Sequence, residues 1–268
     1  MNILEKIIAH KKKEVQEKQS LYPVKLLEKS IYFETPTVSI KKYLKRKDLS
    51  GIIAEIKRKS PSKGIINNHI SVEKLSVGYM QAGASALSVL TDTDFFGGKN
   101  EDLTVARKFN YCPILRKDFT VDEYQITEAK SIGADVILLI AAALTKVETK
   151  RLAAFAKGLG LEVLMEIKEE KELGHANEFV DVIGVNNRNL ETFEVNIETS
   201  FNLANKIPSE FLKISESGIA SAQTIHELKS AGFSGFLIGE TFMKYARPEK
   251  PCAELIRQIK NYVNVEVV

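Results

Sequence analysis

The stretch that decides the fold is "GIIAEIKRKSPSKG", residues 51–64. Its apolar residues 52–54 and Ile56 predict a buried strand, yet Glu55 and Lys57 lie within the same run. A buried charge without a partner is costly, and even a buried ion pair adds little to stability. The two charged side chains are therefore expected to lie where they are hydrated, paired or used in chemistry.

Seven more apolar runs follow, separated by stretches with helical periodicity. Together the runs predict eight strands, at residues 52–57, 84–90, 113–118, 135–140, 162–167, 182–187, 212–217 and 235–239. Strands that alternate with helices and are buried on both faces indicate parallel pairing through βαβ crossovers. Eight such units in 268 residues favour an α/β fold of the closed (β/α)8 TIM-barrel type over an open doubly wound sheet.

Local signals also mark the ends of several predicted helices. Asp122 is typical of a helix N-cap. A glycine between helical periodicity and the next strand, typical of a helix C-terminus, occurs at Gly83, Gly133 and Gly232. These signals place helices between the predicted strands.

The amino-terminal residues 1–50 precede the first predicted strand, and we expect one or two helices there that pack over one end of the barrel. Their first stretch has the pattern of an amphipathic helix, and its lysine run at residues 11–13 is expected to face solvent. Because no low-complexity linker interrupts the chain, we expect residues 1–268 to form a single domain with this helical extension.

The composition limits the classes of partner. The chain has 38 basic and 35 acidic residues, so its net charge of +3 gives no reason to expect nucleic acid or an anionic membrane. The longest apolar run, residues 136–144, is too short to span a bilayer, and no secretory signal is visible. Cys112 and Cys252 form no metal-ligand motif and are expected to be free thiols. We expect a cytoplasmic protein without a metal site, a monomer or at most a weak dimer.

Side chains alternate between the two faces of a strand, so polar residues can share the inward face of the barrel. Glu55 and Lys57 share that face near the carboxyl end of the first strand, where the active sites of TIM barrels lie. The same alternation turns inward four more polar side chains, Lys117, Glu166, Asn186 and Glu216. Structural ion pairs that plug the barrel are one explanation. A mixed lysine and glutamate cluster in a semi-enclosed site is also suited to acid–base chemistry.

The loops at the same end favour a phosphorylated ligand. The loop at residues 57–64 is rich in lysine, serine and glycine, and Gly218 and Gly239 precede predicted helices after the seventh and eighth strands. Backbone N–H groups at such turns bind anions, and in TIM barrels these two loops often hold phosphate. The motifs GxGxxG, GxxxxGK[ST] and HExxH do not occur, and the four histidines lie away from the strand ends. A histidine triad or a zinc site is therefore not expected.

Seven stretches also match one known family, in order along nearly the whole chain: "ILEKIIAHKKKEV", "IIAEIKRKSPSKG", "LTDTDFFGG", "PILRKDF", "VLMEI", "GVNNRNLETF" and "SESGI". They resemble indole-3-glycerol-phosphate synthase of tryptophan biosynthesis. The stretch "EIKRKSPSKG" is the most specific of them, and "ESGI" alone is weak. The resemblance implies a (β/α)8 barrel with an amino-terminal helical extension and a reaction that needs no metal or organic cofactor.

The reaction implied by the resemblance is ring closure of 1-(2-carboxyphenylamino)-1-deoxyribulose 5-phosphate with loss of carbon dioxide and water. An acid must protonate the ketone oxygen while the aromatic carbon attacks, and a second proton transfer must help hydroxide to leave as water. By resemblance, Lys117 is the general acid and Glu166 its acid–base partner, while Glu55 and Lys57 orient the substrate. Either of the two lysines can supply each proton.

The resemblance also implies binding roles. Arg188 and Ser60 suit the anthranilate carboxylate, since arginine can bind a carboxylate through two parallel hydrogen bonds. Asn186 can hydrogen-bond substrate oxygens, and Glu216 lies among the lysines. Apolar walls for the aryl ring are expected from Phe96, Phe119 and Leu190, and the phosphate site from Lys57, Ser217, Gly218, Gly239 and Glu240. At Glu240 only the backbone N–H is expected to contribute, because a carboxylate repels phosphate.

Two other functions are compatible with the residues alone. In a Schiff-base sugar-phosphate aldolase, Lys117 or Lys57 would be the nucleophile. A non-catalytic barrel that binds a phosphorylated metabolite would use the same mouth without turnover. The complete acid–base set favours an enzyme, and borohydride trapping would distinguish an aldolase from a synthase that forms no imine.

Overall fold

Eight parallel strands form a closed barrel in the computed structural model, which describes residues 2–190 and 192–265, with side chains up to residue 262. The strands are β1 (Ile52–Ile56), β2 (Ala86–Leu90), β3 (Ile114–Lys117), β4 (Val136–Ile140), β5 (Glu162–Ile167), β6 (Val182–Asn186), β7 (Leu212–Glu216) and β8 (Gly235–Ile238). Neighbours in the chain are neighbours in the barrel, and β8 pairs with β1. The TIM-barrel prediction is confirmed, and each strand lies within about two residues of its predicted bounds.

Three helices precede the first strand, and the others join the strands or follow the last strand and cover the outside of the barrel. They are α1 (Ile3–Leu21), α2 (Val24–Leu27), α3 (Ile40–Leu44), α4 (Val72–Ala82), α5 (Asn100–Phe109), α6 (Glu123–Ser131), α7 (Lys146–Gly158), α8 (Glu198–Ala204), α9 (Ala222–Ser230), α10 (Glu240–Met243) and α11 (Glu249–Val265). Two short 3-10 helices, Ala141–Ala143 and Glu170–His175, complete the set, and the second takes the place of the α-helix expected between β5 and β6. No described helix is long and apolar enough to cross a membrane.

The predicted helix ends are confirmed. The side chain of Asp122 caps α6 and accepts a hydrogen bond of 2.9 Å from the backbone N–H of Tyr124. Gly83, Gly133 and Gly232 have φ angles of 98°, 93° and 90°. This left-handed backbone reverses the chain into the next strand, and glycine adopts it without a Cβ clash.

The side chains of the barrel divide into two apolar layers. The interior holds Ile53, Leu115, Leu164 and Ile214, each two residues before a predicted inward polar residue. The layer between strands and helices holds the alternate residues, such as Ile52, Ala54 and Ile56 of β1. The predicted alternation is therefore confirmed, and it directs the polar side chains that end the strands into the mouth of the barrel.

The amino-terminal extension contains three helices, of which α1 and α3 pack at opposite ends of the barrel, whereas one or two helices over one end were expected. At the mouth, Ile3, Leu4 and Ile7 of α1 line the central cavity. At the opposite end, Ile40 and Leu44 of α3 pack against the interior core. The barrel leaves apolar surface at both ends, which explains why the extension reaches both.

The expectation that the lysine run at residues 11–13 faces solvent is wrong for its first member. Lys12 and Lys13 are exposed, but the Lys11 side chain is only 1% exposed. Lys11 lies between Ile7 and Val15 at a spacing of four residues, so it shares the buried face of α1. Carboxylates at the barrel mouth pair with its ammonium group.

Cys112 and Cys252 are buried free thiols, as predicted. Burial raises the pKa of each thiol to about 12. Because the thiolate is the reactive form of cysteine, neither residue is suited to nucleophilic chemistry at neutral pH.

Candidate active site

A cavity of about 320 Å³ opens at the carboxyl ends of the strands. Its lining includes every residue that the sequence predicted for the site, both the acid–base cluster and the two sets of binding residues. The cavity has a volume typical of sites for small-molecule ligands.

Lys117 lies at the centre of the polar cluster. Its Nζ donates hydrogen bonds of 2.8 Å to Glu166 Oε2 and 2.5 Å to Glu216 Oε2. Asn186 Nδ2 donates to Glu166 Oε1 at 2.9 Å, and Ser217 Oγ donates to Asn186 Oδ1 at 3.0 Å. The ends of four strands and one following loop thus form a connected network around one ammonium group.

The pKa values of the two carboxylates bound to Lys117 shift in opposite directions. Burial raises the pKa of Glu216 to about 7, with Glu166 adding to the rise and Lys117 opposing it. Burial also acts on Glu166, but Lys117 and the hydrogen bond from Asn186 outweigh it and lower the pKa of Glu166. For Lys117, burial disfavours the charged form, yet Glu166, Glu216 and Glu55 more than offset this and raise its pKa. At neutral pH Lys117 is therefore protonated, Glu166 is ionised, and Glu216 can gain or lose its proton.

One oxygen of Glu216 has no hydrogen-bond partner among the described residues. This atom, Oε1, is buried and lies directly over Gly184 of β6. A Cβ atom at position 184 would come within 2.3 Å of it, so only glycine leaves room for the carboxyl group. A buried oxygen without a donor favours either a proton on the carboxyl group or a hydroxyl group of a ligand.

A second ion pair lies beside the Lys117 cluster. Lys57 Nζ donates a 2.6 Å hydrogen bond to Glu55 Oε1, which stands over Gly239. A Cβ atom at position 239 would lie 2.4 Å from this oxygen. The charges in the first predicted strand therefore face the cavity and are paired with each other.

Arg188 contacts Glu240, the residue of the predicted phosphate site whose carboxylate was not expected to bind phosphate. Its Nη2 donates to Glu240 Oε2 at 3.0 Å, and its Nη1 donates to the Phe193 carbonyl oxygen at 3.3 Å. Lys63 Nζ lies 3.8 Å from the other oxygen of Glu240. Two cations thus compensate the Glu240 carboxylate, and a guanidinium with five N–H donors retains capacity for a second carboxylate.

The loops after β7 and β8 have unusual backbone geometry. Ser217 and Gly218 have φ angles of 70° and 77°, so two successive residues are left-handed. Positive φ is uncommon for serine, and such residues cluster at functional sites. After β8, Gly239 is the N-cap of α10. Both loops line the cavity, and Gly239 also lies beside Glu55, the partner of Lys57.

Aromatic and aliphatic side chains also line the cavity. The rings of Phe96 and Phe119 pack with centroids 5.8 Å apart. Sequence reasoning missed the three residues that α1 adds, Ile3, Leu4 and Ile7. Their spacing along one helix face is a signal for burial, but it does not say against which surface the helix packs.

Comparisons with known proteins cover nearly the whole chain. The family model described as "Indole-3-glycerol phosphate synthase" matches residues 4–255. A protein of that name from Bacteroides thetaiotaomicron is 46% identical over 259 residues, which are 97% of this chain and 99% of that protein. The fold alone is similar to the crystal structure of 3-hexulose-6-phosphate synthase from Salmonella typhimurium, with a TM-score of 0.62, 12% identity and coverage of 79% of this chain and 99% of that chain. The chain therefore belongs to the indole-3-glycerol phosphate synthase family and is a decarboxylating lyase of tryptophan biosynthesis.

Proposed function

We propose that Lys117 is the general acid for ring closure of 1-(2-carboxyphenylamino)-1-deoxyribulose 5-phosphate. The observation that carries this proposal is the position of Lys117 Nζ between two buried carboxylates at the barrel mouth. An ammonium with a raised pKa gives its proton only to a strong base. The ketone oxygen becomes such a base when the aromatic carbon attacks, so the proton moves where charge develops.

Glu166 and Glu216 then have different proton-transfer roles. Glu166, with its lowered pKa, is the ionised carboxylate and accepts the proton that the methylene carbon beside the ring nitrogen loses during dehydration. The hydroxyl group leaves as water with a proton from Lys117 or Lys57. Glu216 holds a proton close to neutral pH and contacts Lys117 directly, so it can return a proton to the lysine. Two carboxyl groups whose environments separate their pKa values are a recurring basis for acid–base catalysis.

The remaining residues hold the two ends of the substrate. Arg188 and Ser60 bind the anthranilate carboxylate, and Asn186 donates to substrate oxygens. The aryl ring lies against Phe96, Phe119 and Leu190, and the phosphate lies at Lys57, Ser217, Gly218, Gly239 and the backbone N–H of Glu240. Glu55 holds Lys57 in place for this role. Fixing both ends brings the two reacting carbons together and removes most of the entropic barrier to cyclisation.

The environment of Lys117 disfavours the aldolase alternative. A Schiff-base lysine must lose its proton to attack a carbonyl, but two carboxylates stabilise the Lys117 ammonium. The test makes two measurements on the wild-type protein. In one, the protein is mixed with substrate and borohydride, and its mass is measured by mass spectrometry. In the other, indole fluorescence is followed without borohydride, in buffer with chelator. We expect rising fluorescence and an unchanged protein mass. A substrate adduct reduced onto Lys117 or Lys57 would contradict the acid role.

We further propose that the whole chain works as one domain, as a monomer or at most a weak dimer, in the cytoplasm. Support for one domain comes from the extension, which packs on both ends of the same barrel. Residue 1, residue 191 and the last three residues of the predicted domain lie outside the described residues.

A further inference from the structure

Lys11 is a buried cation with no role in the proposed chemistry. Its Nζ lies 3.0 Å from Asp92 Oδ2, 3.0 Å from Asp118 Oδ1 and 2.8 Å from Glu14 Oε2. Asp92 and Asp118 follow neighbouring strands, β2 and β3, and their side chains are 0% and 2% exposed. Lys11 reaches two strand ends from a helix outside the barrel, and burying its ammonium group costs free energy. This cost indicates a role other than solubility.

Asp92 holds the turn that carries Phe96. Its Oδ1 accepts backbone hydrogen bonds of 2.7 Å from Phe95 and 3.0 Å from Phe96. Its Oδ2 receives no hydrogen bond of good geometry from the described residues, so its charge is compensated by the ion pair with Lys11. The Lys11 ammonium therefore pairs with the same side chain that orders this turn.

Asp118 holds the turn that carries Phe119. Its Oδ1 accepts the backbone N–H of Phe119 at 2.8 Å, and its Oδ2 accepts a 2.6 Å hydrogen bond from Thr91 Oγ1. Arg116 Nη2 lies 3.3 Å from the same Oδ2. Lys11 thus contacts the very oxygen that orients the backbone of Phe119.

We propose that Lys11 is a positioning residue that holds together the aryl wall, defined as the ring pair Phe96 and Phe119. Neither Lys11 nor Asp92 is among the described residues that line the cavity, so Lys11 acts through the two turns. Without its charge, two buried carboxylates repel each other, and the turns that they hold separate. The inference rests on the proposed contact between the aryl wall and the substrate ring.

The first test compares two ligands by titration calorimetry. One is a substrate analogue whose ketone is reduced to an alcohol, so that it keeps the aryl ring but cannot cyclise, and the other is inorganic phosphate. Lys11→Met should weaken the aryl analogue about tenfold, since an aromatic contact of this size is lost, and leave phosphate affinity unchanged. Lys18→Met, on the same helix and paired with Glu14 and Glu128, should change neither affinity. No loss for the aryl analogue, or an equal loss for both ligands, would overturn the proposal.

The second test shows whether Lys11 acts through Asp92. Asp92→Asn keeps an acceptor for the two N–H groups but removes the ion pair, and it should raise KM for the substrate with a smaller effect on kcat. In the double variant with Lys11→Met the KM increases should be less than multiplicative, whereas independent factors would overturn the proposal. If Lys11→Met does not fold, the KM of Asp92→Asn alone tests the proposal. Phe119→Ala tests the aryl wall apart from Lys11. If Phe119→Ala leaves the affinity of the aryl analogue unchanged, the aryl wall is wrongly assigned, and the proposed role of Lys11 fails with it.

Discussion

Glu166 and Glu216 contact the same ammonium group, yet their surroundings give them opposite protonation behaviour. Glu166 also accepts a hydrogen bond from Asn186, which stabilises its ionised form. Glu216 keeps one buried oxygen unpartnered above Gly184 and bears the repulsion of Glu166. Burial that Lys117 compensates only in part therefore raises the pKa of Glu216, while Lys117 and Asn186 together outweigh burial and lower the pKa of Glu166.

The raised pKa of Glu216 makes a prediction about stability and pH. The folded state binds this proton more tightly than the unfolded state, so the free energy of unfolding falls as pH rises from about 4.5 to about 7. Glu216→Gln cannot titrate, so its stability relative to wild type should improve across that window, by at most about 1.4 kcal/mol per pH unit. Urea unfolding of both proteins at several pH values measures the difference. A difference that does not change with pH would refute the shift.

Residue patterns predicted this site to different degrees. The alternation of side chains was enough to place Glu55, Lys117 and Glu166 on the inner face, because strand geometry fixes which side each residue occupies. Lys11 was misjudged, although its spacing from Ile7 and Val15 places it on the buried face of α1. Its burial depends on Asp92 and Asp118, which come from strand ends far away in the sequence. A local pattern contains no information on such partners.

At the scale of elements, β6 shows that a strand can serve the site through a missing side chain. Gly184 faces inward between Leu164 of β5 and Glu216 of β7, and an added Cβ atom would lie 3.2 Å and 2.3 Å from their nearest atoms. The neighbouring inward position, Asn186, supplies the hydrogen bond to Glu166. One strand thus supports both carboxylates, one with space and one with a donor.

Gly184→Ala should therefore damage stability and turnover together. Overpacking at this position should cost about 1–3 kcal/mol of unfolding free energy, and kcat should fall because the Glu216 carboxylate is displaced from Lys117. Gly158→Ala is the matched control, since a Cβ atom added at the end of α7 meets no described atom within 4 Å beyond its chain neighbours and its own helix backbone. The control should keep wild-type kcat and a similar or slightly higher stability. Wild-type kcat in Gly184→Ala would show that Glu216 does not need its observed position.

The predicted elements differ from the structure where tertiary packing decides. The loop after β1 contains a small antiparallel hairpin, Lys59–Ser60 with Gly64–Ile65, where only a loop rich in lysine, serine and glycine was predicted. The α-helix expected between β5 and β6 is a 3-10 helix, Glu170–His175. Strand positions were predictable because burial on both faces gives continuous apolar runs. Short connections lack such a pattern, and their backbone conformation follows from what they pack against.

At the scale of the whole molecule, the fold separates stability from chemistry. The interior apolar residues fill the barrel from the amino ends of the strands, where α3 closes it. The charged residues that line the cavity lie at the carboxyl ends, where α1 and the long loops enclose it. Buried ion pairs also occur at the amino ends, such as Asp135 with Arg107. The charges that a phosphorylated, carboxylated substrate can use, however, lie at the carboxyl ends, and the rest of the barrel supplies the stability that offsets their cost.

The most direct test of this account measures turnover and ligand binding in Lys117→Met. Indole fluorescence gives kcat, and titration with the reduced substrate analogue gives affinity, with the exposed Lys12→Met as the control. The account predicts that kcat falls by about 10²–10⁴-fold in Lys117→Met, the typical contribution of a general acid. Analogue affinity should change far less, and the control should match wild type. A Lys117→Met protein that binds the analogue and turns over at the wild-type rate would contradict the central role of Lys117.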